Sequence, residues 1–216
     1  MSRHTGFAVL ALLAVLLGLG VTLGVSAAPV KDGAQTLYEQ ARELSHPRHM
    51  GAQSTEALNL LAKALEQDPQ HVPSLNYRAN LLIELDRFEE AVVDLQRLVE
   101  VTKLADAELT LCMVRDYLDG NTSIPVNCYL NAARRFSEKS EGAPQLNYGY
   151  LLSLKMAGAP EFESALEAAL TEQGRDEKIW GPGLVNLEVL QEDRDELLLE
   201  FLGFKNDPRP EASPKQ

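Results

Sequence analysis

The stretch Ser54–Val101 constrains the fold more than any other part of the chain. It holds three apolar-periodic runs. The first is stopped at Asp68-Pro69 and the other two meet at the polar Asp86-Arg87. Proline keeps its preceding residue out of the helical conformation, so Asp68-Pro69 reads as the end of a helix. Within the stretch a pattern recurs. Ala57 stands where Ala91 stands, a step of 34 residues, and Ala64 stands where Leu98 stands. Small side chains at Ala79 and Ala91 let two helices approach closely, while Leu75, Leu82, Phe88, Leu95 and Leu98 fall at helical spacing on one stripe. The reading is a series of antiparallel helical hairpins.

A 34-residue period, a small residue in each helix, an FEEA-type start to the second helix and a terminal proline together resemble the tetratricopeptide repeat (TPR) family. Downstream, Gln145-Leu146-Asn147-Tyr148 matches Ser74-Leu75-Asn76-Tyr77 at three of four positions, and Phe162-Glu163-Ser164-Ala165 matches Phe88-Glu89-Glu90-Ala91 at three of four. Aligned on these motifs, 143–172 is a degenerate repeat. Its inter-helix loop is three residues longer, filled by residues 157–160, and Tyr150 stands in place of Ala79. The expected fold is all-α, a TPR-like solenoid of helical hairpins with an additional C-terminal helical cap. Helices are expected at 31–45, 54–67, 72–85, 88–102, 105–119, 124–137, 144–156 and 161–173, and over 182–201 with a break in the polar Gln191–Asp195. TPR-like repeats thus occupy 31–104; the further hairpin, degenerate repeat and C-terminal helices occupy 105–203; and 204–216, rich in proline, is expected to be a disordered tail.

Residues 1–27 have the three-part form of an export signal. Arg3 and His4 precede an uncharged apolar run from Phe7 to Val25, and Val25-Ser26-Ala27 offers a cleavage site before Ala28. A run of this length also suffices to span a bilayer. Two fates therefore fit: a cleaved signal, giving a periplasmic protein, or an uncleaved inner-membrane anchor through residues 7–25 with the body outside the cytoplasm. The whole chain carries a formal charge of −12, and loss of Arg3 would leave it one unit more acidic. Such a surface disfavours nucleic acid, which requires basic residues against its phosphates.

The 216 residues include two cysteines, Cys112 and Cys128, placed in adjacent predicted helices. In an oxidising compartment a bond across the hairpin is expected, with two buried free thiols as the alternative; without a C-x-x-C they do not form a thiol-oxidoreductase motif. His46, His49 and His71 read as solvated loop residues, with no metal site. Asn121-Thr122-Ser123 is a glycosylation sequon that also serves as a turn. No phosphate-binding Gly-rich loop, G-x-S-x-G or H-E-x-x-H occurs, and the carboxylates are scattered along helix faces. The chain is therefore expected to be no enzyme and to need no cofactor.

The TPR resemblance implies protein partners held in a concave groove lined by the first helix of each hairpin. Carried over by alignment, Asn76, Asn80, Ile83 and Glu84 would face it from the clearest repeat, and Asn147, Leu151, Leu154 and Lys155 from the degenerate one. The lysines by which one TPR subclass grips a terminal carboxylate are missing from the Asn76–Asn80 helix. Resemblance to exported bacterial TPR proteins implies an adaptor or scaffold in the assembly of an envelope complex. The competing expectation is a structural or oligomerisation subunit, with Leu187, Leu190, Leu197, Leu198 and Phe201 forming an exposed apolar stripe; as an end cap the same residues would be buried within the chain.

Overall fold

A computed structural model describes residues 33–44, 52–120, 124–140, 142–173 and 187–204. Among them are nine α-helices and no strand: α1 Gly33–Leu44, α2 Ala52–Gln67, α3 Val72–Glu84, α4 Phe88–Thr102, α5 Ala105–Leu118, α6 Val126–Lys139, α7 Tyr148–Ala157, α8 Phe162–Gln173 and α9 Arg194–Phe201. Short 3-10 turns at Pro144–Leu146 and Leu187–Gln191 precede α7 and α9. The export or anchor segment, His46 and His49, the 121–123 sequon and residues 205–216 lie outside the described residues.

Each helix from α1 to α8 packs against the next, giving the pairs α1–α2, α3–α4, α5–α6 and α7–α8. The all-α hairpin fold expected from the sequence is the fold observed. Local chemistry explains its joints. The α2 helix stops before Asp68-Pro69, and the Asp68 carboxylate then accepts a 2.9 Å bond from the Gln70 amide. The α3–α4 turn is closed by Asp86 in the left-handed region (φ 57°), which brings the Arg87 amide 2.8 Å from the Leu82 carbonyl. Ala79 and Ala91 are fully buried, as the close approach of helices requires. The aspartate of the same hairpin, Asp94, is buried too, and Arg78 reaches it with two 2.6 Å hydrogen bonds. That bidentate pairing ties α3 to α4 while satisfying a carboxylate withdrawn from water.

Two stretches depart from the expected layout. The helix expected at 144–156 begins only at Tyr148: Pro144–Leu146 is a 3-10 turn and Asn147 caps α7. The expected break near Gln191–Asp195 is present, with Asp193 accepting from the Asp195 amide at 2.8 Å to start α9. The folded body also extends one residue further than the 203 boundary. Phe204, assigned to the tail, packs its ring against Phe88 and Tyr117, at centroid distances of 5.8 and 5.2 Å.

Candidate partner-binding face

The α3 helix buries Leu75, Ala79 and Leu82, and this leaves Asn76, Asn80 and Glu84 exposed at one-turn intervals. Ile83 is half-buried and packs into the cores on both sides, so it is a wall of this face more than a contact on it. The preceding α1 continues the face. Ala41 is buried in one cluster with Ala57, as Ala79 and Ala91 are buried in their own hairpin. Ala41 therefore takes the position of Ala79. Tyr38, three residues before it, then corresponds to Asn76, and Arg42, one residue after, to Asn80. The Arg42 guanidinium lies 5.7 Å from the centre of the Tyr38 ring. The Tyr38 ring meets Tyr77 edge-on at 6.0 Å and His71 at 5.9 Å.

His71 corrects one sequence expectation. It is half-buried instead of solvated, with Nδ1 2.8 Å from Ser74 Oγ and Nε2 3.2 Å from Gln35 Oε1. A ring nitrogen on each side thus joins α1 to the start of α3. Tyr38 and Arg42 were missed from the sequence because the irregular loop at 46–53 breaks the spacing between Ala41 and Ala57. The available signal was the small residue in α1 with an aromatic three positions before it.

In the second set of groove residues Leu151 and Leu154 are buried. Ser153 is buried and lies twelve residues before Ala165, the distance that separates Ala79 from Ala91. Ser153, not Tyr150, is therefore the small residue of α7. The Leu-Asn-Tyr match is three residues out of register, and the α7–α8 loop carries one extra residue where three were expected. In the correct register Leu151 aligns with Tyr77 and Leu154 with Asn80, and both are buried in the core they share with the C-terminal segment. Asn147 is consumed as the N-cap of α7, its side chain accepting from the Tyr150 amide at 3.1 Å. Lys155 lays its ammonium 5.2 Å from the centre of the Phe162 ring. Leu151 and Leu154 are thus not placed to meet a partner.

In α5 the 34-residue step from Asn80 lands on Val114 and that from Ile83 lands on Tyr117. Val114 is buried, and Tyr117 is stacked under Phe204 with an interplanar angle of 22°. The cause is the C-terminal segment. Leu187, Leu190, Leu197, Leu198 and Leu202 are buried in the same core as α5 and α7. Only Phe201 of the expected apolar stripe stays exposed, at 46 %. The stripe is thus spent inside the chain, as an end cap would spend it. Arg194 anchors the segment: its guanidinium pairs with the fully buried Asp116 of α5 and donates to the Met156 carbonyl at the end of α7, 2.9 Å away. Tyr129 of α6 donates to the same carboxylate at 2.7 Å. Burial, and then the hydrogen bond to Asp116, push the Tyr129 phenol far above its usual pKa.

Cys112 and Cys128 are bonded, with their Cα atoms 5.7 Å apart. The bond links α5 to α6 near the turn end of their hairpin. At the other end the pair Glu108–Arg135 does the same work, and Arg135 also donates to the Lys103 carbonyl at 3.1 Å.

Stacked antiparallel helix pairs, with small residues where the helices cross, define a helical-repeat protein. More particularly, residues 60–93 match the family model described as Tetratricopeptide repeat, and the hairpins form an all-α, TPR-like stack. No curated protein matches the chain. TPRs are in general non-catalytic scaffolds for protein–protein interaction, and the matched segment includes Asn76, Asn80, Ile83 and Glu84.

Proposed function

We propose that this protein is an exported, non-catalytic adaptor that holds a segment of a partner protein against the α1–α3 face and assists assembly of an envelope complex. The observation that carries the reading is the exposure of Asn76 and Asn80 on α3 beside the Tyr38–Arg42 pair of α1. A carboxamide both donates and accepts, so two asparagines one turn apart suit the backbone of a bound chain. An aromatic ring with a guanidinium over it adds apolar area and a charge that favours an acidic or polar residue on the partner. Stacked hairpins supply the rigid platform. The export reading rests on the three-part form of residues 1–27, and membrane attachment through residues 7–25 is the alternative to cleavage. The acidic body argues against nucleic acid as the partner. The structural-subunit reading loses its main support, because four of the five residues it needed exposed are buried within the chain.

The test is a crosslinked pull-down of the full-length tagged chain from the native envelope fraction, followed by mass spectrometry. The wild type is expected to recover a recurrent envelope complex that the Asn76→Ala/Asn80→Ala double variant loses while its helicity stays unchanged. Recovery of the same complex by the double variant would overturn the assignment of this face.

A further inference from the structure

We propose that the Cys112–Cys128 bond sets the grip of the body on its C-terminal strap, residues 187–204, and that reduction of this bond by a dithiol releases the strap from α5 and α7. This goes beyond the adaptor reading and does not depend on it.

The residues that hold the strap lie around the bond. Cys112 and Asp116 are one helical turn apart on α5, and Cys128 immediately precedes Tyr129 in the first turn of α6. Asp116 and Tyr129 together make the receptor for Arg194: the tyrosine hydroxyl occupies the carboxylate from one helix while the guanidinium meets it from the strap. Tyr117, next to Asp116, carries Phe204, whose ring also touches Phe88 of α4. Every hold of the strap on α5 named here is thus within about two turns of the sulfur bridge. The opposite end of the α5–α6 hairpin is fixed independently by Glu108–Arg135 and by the bond from Arg135 to Lys103. Loss of the bridge therefore frees the turn end alone. There, among the described residues, the Tyr129–Asp116 hydrogen bond, 2.7 Å long, links α6 to the receptor.

The bridge is built for approach from one side. Cys112 is fully buried, while Cys128, at the start of α6, is only partly buried. A thiolate of the dithiol attacks Cys128 Sγ, the sulfur–sulfur bond breaks, and Cys112 leaves as thiolate and takes a proton. The second thiol of the reagent then displaces Cys128, which is protonated in turn. The reagent departs as its cyclic disulfide, two electrons having passed to the cysteine pair. The free strap carries Leu197, Leu198 and Leu202 away from the core, and the surface of α5 and α7 beneath them becomes available.

Amide hydrogen exchange of the full-length chain reads this directly, because local opening accelerates exchange in the segment that opens and nowhere else. Adding a dithiol is expected to speed exchange of the α9 amides, Arg194–Phe201, by about tenfold or more, while α3 amides stay protected. The Cys112→Ser/Cys128→Ser variant should show fast α9 exchange without reductant. Arg194→Gln should show it in both redox states, since the bond then has no grip to set. Equal α9 protection in the oxidised and reduced wild type would overturn the proposal. So would parallel loss of protection in α3 and α9, or loss of helicity on reduction, because the bond would then be a staple of the whole fold. The wild-type comparison stands even if the double cysteine variant does not fold.

Discussion

The anchor of the C-terminal strap makes an asymmetric prediction. Asp116 is fully buried and depends on two partners, the Arg194 guanidinium and the Tyr129 hydroxyl. Arg194, with 15 % of its side chain exposed, keeps the Met156 carbonyl at 2.9 Å and Asp195 at 3.1 Å if Asp116 is removed. Arg194→Met therefore strands a buried carboxylate with one neutral donor, and it should cost about 3–5 kcal/mol, the usual penalty for breaking a buried pair on one side. Asp116→Leu strands the Tyr129 hydroxyl and leaves the guanidinium partly hydrated, so it should cost less, about 1–3 kcal/mol. The double variant replaces the pair by apolar groups and should be more stable than Arg194→Met alone, which requires a coupling larger than the Asp116→Leu cost, about 3 kcal/mol. Urea titration followed by far-UV circular dichroism would measure all three, with a shared m-value as the check that unfolding remains two-state. An Arg194→Met cost below about 1 kcal/mol, or single effects that add without coupling in the double variant, would refute the argument that this pair holds the strap.

Three further outcomes follow from packing and protonation. Ala79→Leu places extra methyl groups where α3 crosses α4 and should destabilise the fold by about 1–3 kcal/mol in the same titration. Gly149→Ala should cost a similar amount, because a Cβ there drives into the ring of Phe136, and a smaller ring-site residue in a Gly149→Ala/Phe136→Leu variant should recover part of it. The raised pKa of Tyr129 keeps its phenol protonated in the folded state after the unfolded chain begins to ionise near pH 10. Its contribution is full below that pH and is lost as pH rises, with a slope of about 1.4 kcal/mol per pH unit. Tyr129→Phe should be less stable at neutral pH but show a shallower alkaline decline, and an unchanged decline would contradict the assignment.

How far the sequence could be read depended on whether a residue's position was set locally. Ala57, Ala79 and Ala91, the Asp68-Pro69 stop and the Phe88 start each follow from neighbours within a turn or two, and the helices they mark lie where expected. Leu151 shows the opposite case. A three-residue likeness to Leu75-Asn76-Tyr77 outweighed the buried-small-residue spacing to Ala165, and one slip of register put the buried Leu151 in the groove. Helical periodicity alone could not arbitrate, since α7 is apolar on nearly every side. His71, Tyr38 and Phe204 were illegible for another reason. Their roles depend on partners more than thirty positions away or across an irregular loop, and no local pattern encodes them. Cys112 and Cys128 were within reach because they sit on either side of a single turn.

The order in which these contacts can form has its own consequence. Neighbouring hairpins assemble from short-range contacts, each available as soon as the next helix exists. The strap closes a contact between Arg194 and Asp116 across 78 residues. Such long-range closure is slow compared with helix–helix docking. During synthesis the leucine-rich surfaces of α5 and α7 are therefore made well before the segment that covers them. For that interval the nascent chain presents a sticky surface that the finished protein does not have. That interval is when a holdase chaperone has most to protect, and when a truncated translation product is most prone to aggregate.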